Sequence, residues 1–309
     1  MNPSHALLKK TSTSFDVLVI NANPLLNLIY GGEFKIGAIN RVQTMPMVAE
    51  GKGVNVARVL ALHGHRVALA GFAGGHSGAW LRDLVSDQGI EDAFTETVAP
   101  LRVGFMASKL NARHPTTVLP NGFPVTRDEC KRLLERVEKR LGSVKLVIVS
   151  GSVPDPVADD LYTDLLALCA QHQVPCWMDA YGTAMKRALE CPHPPALSKP
   201  NRQEFDQSHY WGRAEELHIT NGDGPVKISS LHAGQWQVFP AKIKQVNPVG
   251  CGDCYLAGLA HGWLEDLPYE DCLRYAASAG AANALRQDVA MITPDEVKAL
   301  MDKVRVERV

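Results

Sequence analysis

The 309-residue sequence predicts an α/β fold: a mostly parallel central sheet with helices on both faces, plus a small β-sheet lid. Two observations predict the main body. Short β-rich runs alternate with amphipathic helical stretches, and several of the runs are continuously apolar, as strands covered on both faces must be. A third predicts the lid. Residues 27–48 and 101–119 interrupt the alternation with short strand-like runs, turn residues (Gly31-Gly32, Gly37) and no helical period, so an antiparallel lid apart from the main sheet accounts for both.

Residues 1–14 are polar and aperiodic and read as a loose tail. The strands expected after it include Phe15–Ile20, Arg66–Ala70, Val144–Ser150, Val174–Asp179, Leu217–Thr220 and Pro225–Ser230. Thr126 with Glu129 three residues on is a capping box opening a helix over Arg127–Leu141, and Thr293-Pro294-Asp295-Glu296 opens the last helix in the same way. With no repeats, low-complexity runs or linkers, residues 1–309 read as one domain with a lid.

Composition narrows the function. A chain that is 46% hydrophobic can bury a substantial core, and a net charge of −1 gives no reason to expect a polyanionic partner or membrane surface. Seven scattered cysteines argue against a disulfide framework, and their odd number forbids complete internal pairing. The apolar run after Lys9 and Lys10 is too short for a signal core, so a cytoplasmic location is the expectation.

The strongest local signal is Asn247-Pro248-Val249-Gly250-Cys251-Gly252-Asp253-Cys254. Pro248 and two glycines make a turn, and Leu256, Leu259, Ala260 and Trp263 then recur at helical spacing. Gly250–Asp253 therefore falls on the first turn of a helix, whose free N–H groups and positive dipole end suit a phosphate. A carboxylate would repel a phosphate merely parked there; it makes sense if it takes a proton from a hydroxyl attacking that phosphate. An ordinary helix start with Asp253 as an N-terminal acid explains the same residues. Neither the Gly-x-x-x-x-Gly-Lys-[Ser/Thr] loop nor the dinucleotide glycine pattern is present, since Gly53 follows Lys52 and Tyr255 stands where a third glycine would be. Cys251-x-x-Cys254 lacks the thioredoxin-like context or second ligand pair that redox or metal chemistry needs, although a helix start could lower a thiol pKa.

Two weaker segments accompany it. Glu50-Gly51-Lys52-Gly53-Val54-Asn55 leads into another helix and suits a polyhydroxylated ligand, or is a plain loop-to-helix transition. In Ser198-Lys199-Pro200-Asn201-Arg202-Gln203-Glu204, Asn201 and Glu204 could serve a Mg²⁺–water site, and helix capping explains them equally.

In this order and spacing the segments resemble the PfkB/ribokinase carbohydrate kinase family, from about Phe15 to about Ala290. The resemblance implies a ribokinase-like fold and an ATP- and Mg²⁺-dependent sugar kinase. It assigns Asp253 as catalytic base and the backbone N–H groups of Gly250, Cys251 and Gly252 as the anion hole. Gly51, Lys52 and Asn55 match the sugar segment. Asn201 and Glu204 match the pair associated with Mg²⁺ and ATP phosphates, Glu204 acting through water. Thr220, Gly222 and Gly224 lie in the turn expected against the nucleotide. Within the family the sequence is similar to 1-phosphofructokinase and tagatose-6-phosphate kinase, which implies a sugar-phosphate substrate. Gly37–Val42 resembles that subgroup's lid segment and supplies Arg41, Leu101-Arg102 supplies a second arginine, and Ser150-Gly151-Ser152-Val153-Pro154 supplies the Ser152 hydroxyl.

Three positions depart from the pattern. Asn27 stands where the subgroup has an acid bonding sugar hydroxyls, Glu50 replaces a glycine, and Cys251 replaces a small residue. A kinase of an unphosphorylated sugar or nucleoside is one alternative. A non-catalytic sugar-phosphate sensor is another. The family also implies that the lid closes over the sugar and can mediate a homodimer.

Overall fold

The computed structural model describes residues 15–32, 34–107, 116–207 and 210–309. The expected tail, 1–14, and part of the second lid segment lie outside the described residues. Strand β1 (Val17–Asn21) leads into β2 (Leu25–Tyr30) and β3 (Met47–Glu50), then α1 (Lys52–Leu62), β4 (Val67–Gly71), α2 (Gly75–Ser86) and β5 (Glu91–Asp92). After β6 (Val103–Ala107) and β7 (Thr116–Val118) come α3 (Arg127–Leu141), β8 (Leu146–Ser150), α4 (Leu161–Gln171), β9 (Cys176–Asp179), α5 (Gly182–Glu190), β10 (Leu197–Ser198) and α6 (Arg202–Asp206). The chain ends with β11 (Glu216–Asn221), β12 (Gly224–Ser230), β13 (Gly234–Phe239), α7 (Cys251–Leu264), α8 (Tyr269–Ala284), α9 (Pro294–Met301) and β14 (Arg305–Arg308).

The main sheet runs β14-β13-β12-β11-β10-β9-β8-β1-β4-β5. From β5 to β11 every neighbouring pair is parallel, and β11 to β14 form an antiparallel extension. Strands β1, β4, β8 and β9 are buried along their whole length, which is why their sequences are continuously apolar. Helices α1, α7, α8 and α9 pack as one group, and α3, α4 and α5 as another. Each of the six expected strands falls within two residues of an observed one.

The lid is a second sheet, ordered β3-β2-β6-β7. The expectation of an antiparallel lid is corrected at its centre. β2 pairs antiparallel with β3 and β6 with β7, but β2 and β6 are parallel, with Asn27 opposite Gly104. Two hairpins joined through their first strands have those strands parallel when both rise from the same edge of the main body.

That edge positions the site. β1 ends at Asn21, β8 at Ser150, β9 at Asp179 and β10 at Ser198, so polar residues collect outside the carboxyl ends of apolar strands, where open parallel sheets bind ligands. Among the described residues, no helix is long and apolar enough to cross a membrane.

The capping box expected at Thr126 is present: Thr126 Oγ1 accepts from Glu129 N at 3.2 Å and Glu129 Oε2 accepts from Thr126 N at 2.7 Å. Thr126→Ala should lower stability by about 1 kcal/mol, read as a shifted urea midpoint with an unchanged m-value.

Candidate active site

Two helix starts meet at the carboxyl edge. The first is that of α1. Asn21 Oδ1 accepts from Val54 N at 3.1 Å and satisfies one of the helix's free amides. The glycines around Lys52 follow from this packing. A Cβ on Gly51 (φ +143°) would stand 2.3 Å from Asn21 Oδ1, and one on Gly53 2.6 Å from Asn21 Cβ. With the backbone pressed onto β1, Asn55 faces the start of α7.

That start is the Gly250 turn. Gly250 is the N-cap with φ +80°, in the left-handed region, and a Cβ there would stand 2.6 Å from Val289 Cγ1. Asn247 Oδ1 holds Val249 N at 3.0 Å, and Asn283 Nδ2, fully buried on α8, donates to Val249 O at 2.7 Å. Of the three amides expected at the anion hole, that of Cys251 makes a long 3.4 Å bond to Pro248 O. The amides of Gly250, Gly252 and also Asp253 have no protein acceptor among the described residues. These three amides are thus the ones left without a protein acceptor, with that of Cys251 partly turned back into the turn.

Asp253 is the third residue of α7 and only 7% exposed. No side chain caps this helix, and the carboxylate reaches across to α1, where Oδ2 accepts from Asn55 Nδ2 at 2.8 Å. Burial, and then the charge of Asp179, push its pKa up to about 7, against the opposing pull of Lys52, Asn55 and Lys199. A buried carboxylate poised near neutrality is suited to taking a proton from a hydroxyl.

The cations beside it are arranged by Asp179. Lys52 Nζ lies 2.9 Å from its Oδ1; Lys199 Nζ lies 2.9 Å from its Oδ2, as an ion pair off the hydrogen-bond direction. Burial alone would raise Asp179, but Lys199 and Lys52 outweigh it and hold the carboxyl below its usual range. Lys52 is held charged in turn, since Asp179, Asp253 and Glu204 outweigh its desolvation. The ammonium of Lys199, 3% exposed, lies 3.2 Å from where a Cβ on Gly252 would stand. It thus adds positive charge beside the first turn of α7. Lys52, expected on the sugar, has its ammonium bridging Asp179 and Glu204 on the α6 side, because those carboxylates attract it.

Asn201 and Glu204 do form a capping box, with Glu204 N to Asn201 Oδ1 and Asn201 N to Glu204 Oε2 both at 2.8 Å. The second carboxylate oxygen, Oε1, is left with a 3.4 Å contact to Lys52. A single, largely buried carboxylate that keeps some access to solvent fits Mg²⁺, which retains waters and takes one or two carboxylates alongside phosphates. Beside it, a crevice of about 600 Å³ is lined by Asn201, Arg202, Gln203, Thr220, Asn221 and Gly222. Gly222 (φ +58°) makes the β11–β12 turn on its wall; Gly224 follows at the start of β12 and does not line the crevice.

On the lid side the expected residues divide. Asn27 Nδ2 donates to Glu50 Oε2 at 2.7 Å, so the two departures from the family pattern touch each other. Arg102 and Ser152 come together around Asn23, whose Nδ2 donates to Ser152 Oγ at 3.1 Å. The guanidinium, however, donates to the carbonyls of Asn23 (2.7 Å), Pro24 (3.2 Å), Pro120 (2.6 Å) and Asn121 (3.3 Å). Arg102 therefore ties loops together rather than offering a free fork to a phosphate. Arg41 is exposed on the loop between β2 and β3 and does not join them. The opening for cysteine reactivity closes as well: both thiols are free, and burial raises Cys251 and Cys254 above the usual thiol range.

The model of the pfkB family carbohydrate kinases matches residues 32–295. The chain belongs to that family. Its fold is shared with solved structures at low identity. One is a Thermotoga maritima protein described as a possible 1-phosphofructokinase: 20% identity, TM-score 0.85, covering 95% of this chain and 99% of that one. Another is Escherichia coli phosphofructokinase-2 in complex with potassium: 21% identity, TM-score 0.84, covering 93% and 98%. The protein is thus a sugar kinase of ribokinase-like fold, with a large mostly parallel sheet and a small second one.

Sequence reading missed three residues of this kinase's site. Asp179 was visible only as the end of an apolar strand, although an acid closing such a strand at a carboxyl edge is itself a signal. Lys199 and Asn283 gave none, because their roles depend on distant elements.

The Asp253 carboxyl also has a stability signature. Its folded pKa, about 7, lies above that of an unfolded aspartate, so the folded state gives up stability as pH rises through that window. Asp253→Asn should exceed the wild type at pH 8 by on the order of 2–4 kcal/mol, and the gap should close as pH falls toward the ordinary carboxylate range. Urea titrations at several pH values would check this.

Proposed function

We propose that the protein transfers the γ-phosphoryl group of ATP to a primary hydroxyl of a sugar phosphate, with Asp253 as the general base. The observation that carries this is one buried carboxyl of raised pKa beside unpaired helix-start amides and two ammonium groups. The acceptor hydroxyl gives its proton to Asp253 Oδ1 or Oδ2 as its oxygen approaches phosphorus in line. The amides of Gly250, Gly252 and Asp253, with Lys199 and Lys52, stabilise charge on the transferring group. Glu204 would hold Mg²⁺ through water, and the ion would supply positive charge to the nucleotide phosphates. The nucleotide occupies the crevice beside Asn201, Thr220 and Gly222, and the lid excludes water from the sugar. An intact base and anion site argue against the sensor reading.

A phosphorylated acceptor is the preferred substrate. Structures of E. coli phosphofructokinase-2 include one with fructose-6-phosphate. In this chain Ser152, the remaining N–H of Arg102 and the exposed Arg41 are the groups available for such a phosphate. The sugar hydroxyls are bonded by the Asn27–Glu50 pair. The carboxylate sits on Glu50, at the end of β3, and Asn27 orients it. Burial raises the Glu50 pKa, while Asn27 and the charge of Arg58 favour ionisation. Exposed Phe34, Ile36, Ile39 and Val118 on the lid suit a homodimer through it, and one E. coli phosphofructokinase-2 structure is tetrameric.

Asp253→Asn should reduce kcat by roughly 10²–10⁴-fold with ATP affinity nearly unchanged. In the wild type kcat should rise with pH through about 7 as Asp253 ionises; Asn55→Ala should move that limb upward by removing the bond that favours the ion. Coupled ADP-release assays over a panel of sugars and sugar phosphates would read both, and full activity in Asp253→Asn would dismiss its role as base. Glu50→Gln should raise the sugar KM by about 10- to 100-fold, the range expected for a charged hydrogen bond, and leave the ATP KM unchanged in the same assay.

A further inference from the structure

Helices α1 and α7 touch at both ends. At their N-terminal ends Asn55 bonds Asp253; eight residues later in each helix, the rings of His63 and His261 are 5.1 Å apart. The two helices therefore run parallel, and their C-terminal ends close side by side about 12 Å from the catalytic contact at 1.5 Å per residue. A third histidine joins there. Gly64 (φ +86°) turns the chain in a Schellman motif, with Gly64 N to Ala61 O at 3.0 Å and His65 N to Leu60 O at 3.1 Å, which fixes His65 over α7. His65 Nε2 then lies 2.8 Å from His261 Nδ1. One turn beyond His261 on the same face is Glu265, and the ligand atoms of His65, His261 and Glu265 all lie within 4.8 Å of one another.

We propose that His65, His261 and Glu265 form a binding site for a divalent transition-metal ion of the zinc type, clamping the C-terminal ends of α1 and α7. Two imidazoles and one carboxylate are a zinc donor set with a fourth position open to water. Both helices end here, and their carbonyl ends favour a cation. Glu265 and Asp16 face His65 as opposite charges, Lys145 and Lys298 face the cluster as like ones, and the carboxylate ligand offsets them locally.

The adjustment required is small. Two nitrogens about 2.0–2.1 Å from a tetrahedral ion stand roughly 3.3 Å apart, so the 2.8 Å pair opens by about half an ångström and one imidazole changes tautomer. His63 marks the polarity of the same cluster. Its Nδ1 donates to Val59 O at 2.8 Å, and its buried Nε2 lone pair has no partner among the described residues. The site uses none of the residues assigned to phosphoryl transfer, so it stands or falls separately from that reading.

The test is zinc titration of the tag-free, EDTA-stripped protein against a chromogenic chelator, with Co²⁺ as a spectroscopic probe. One equivalent of Zn²⁺ should bind. Co²⁺ should show the absorption of a tetrahedral nitrogen–oxygen site without a thiolate charge-transfer band. His65→Ala and His261→Ala should weaken binding by more than the roughly 10–100-fold that outer-shell partners cost, and Glu265→Gln should weaken it to a lesser degree. If His261→Ala does not fold, His65→Asn, at a partly buried turn residue outside both helices, carries the comparison. Absence of stoichiometric binding, a thiolate band, or affinity unchanged in the histidine variants would overturn the proposal.

Discussion

The rest of the site is organised around an ionisable carboxyl kept out of water between two helix starts. Asp253 is buried against Asn55 of α1, and its charge is tolerated because Lys52 and Lys199 stand nearby. Those lysines are in turn anchored by Asp179, whose carboxyl they keep ionised. Four charges thus hold one another in a closed arrangement that no pair of them would sustain alone. A lone buried charge would cost several kcal/mol; here each has a partner on a different element, so the arrangement forms only when β9, β10, α1 and α7 have all assembled. The residual cost falls on Asp253, as a raised pKa, and that is the property a base needs.

The backbone serves the same end. Glycine is required at 51 and 53 because Asn21 occupies the space of a side chain, and at 250 because the turn needs a positive φ against Val289. These contacts set the two helix starts close enough for Asn55 to reach Asp253. Remote residues hold the turn open toward the ligand: Asn283 bonds Val249 O and, through its Oδ1, the amide of Ala290 at 2.7 Å. Arg102 plays an equivalent part at the lid, joining the chain near Asn23 to that near Asn121.

Most of the fold was legible in the sequence, because doubly covered strands must be apolar throughout and helix starts carry their own caps. The capping boxes at Thr126 and Thr293 are present as read. The parallel pairing of β2 with β6 was not legible, since period-two patterning is blind to strand direction. Within the site, Asp253 and its turn were legible because glycine, proline and an acid at a helix start obey local rules. Asp179, Lys199 and Asn283 were not, as each is defined by a partner far along the chain. For Arg102 the backbone carbonyls that take most of its donors are revealed by no sequence pattern, because they lie on loops distant in the chain. The mutual contact of Asn27 and Glu50, on adjacent strands, could be seen only in three dimensions.

The most direct measurement of the central claim is a crystal structure with ADP, Mg²⁺, a sugar phosphate and a metal fluoride mimicking the phosphoryl group in transfer. The fluoride should sit on the amides of Gly250, Gly252 and Asp253 beside Lys199, with the acceptor oxygen within hydrogen-bond distance of the Asp253 carboxylate. A fluoride seated elsewhere, or an acceptor oxygen turned away from Asp253, would contradict it.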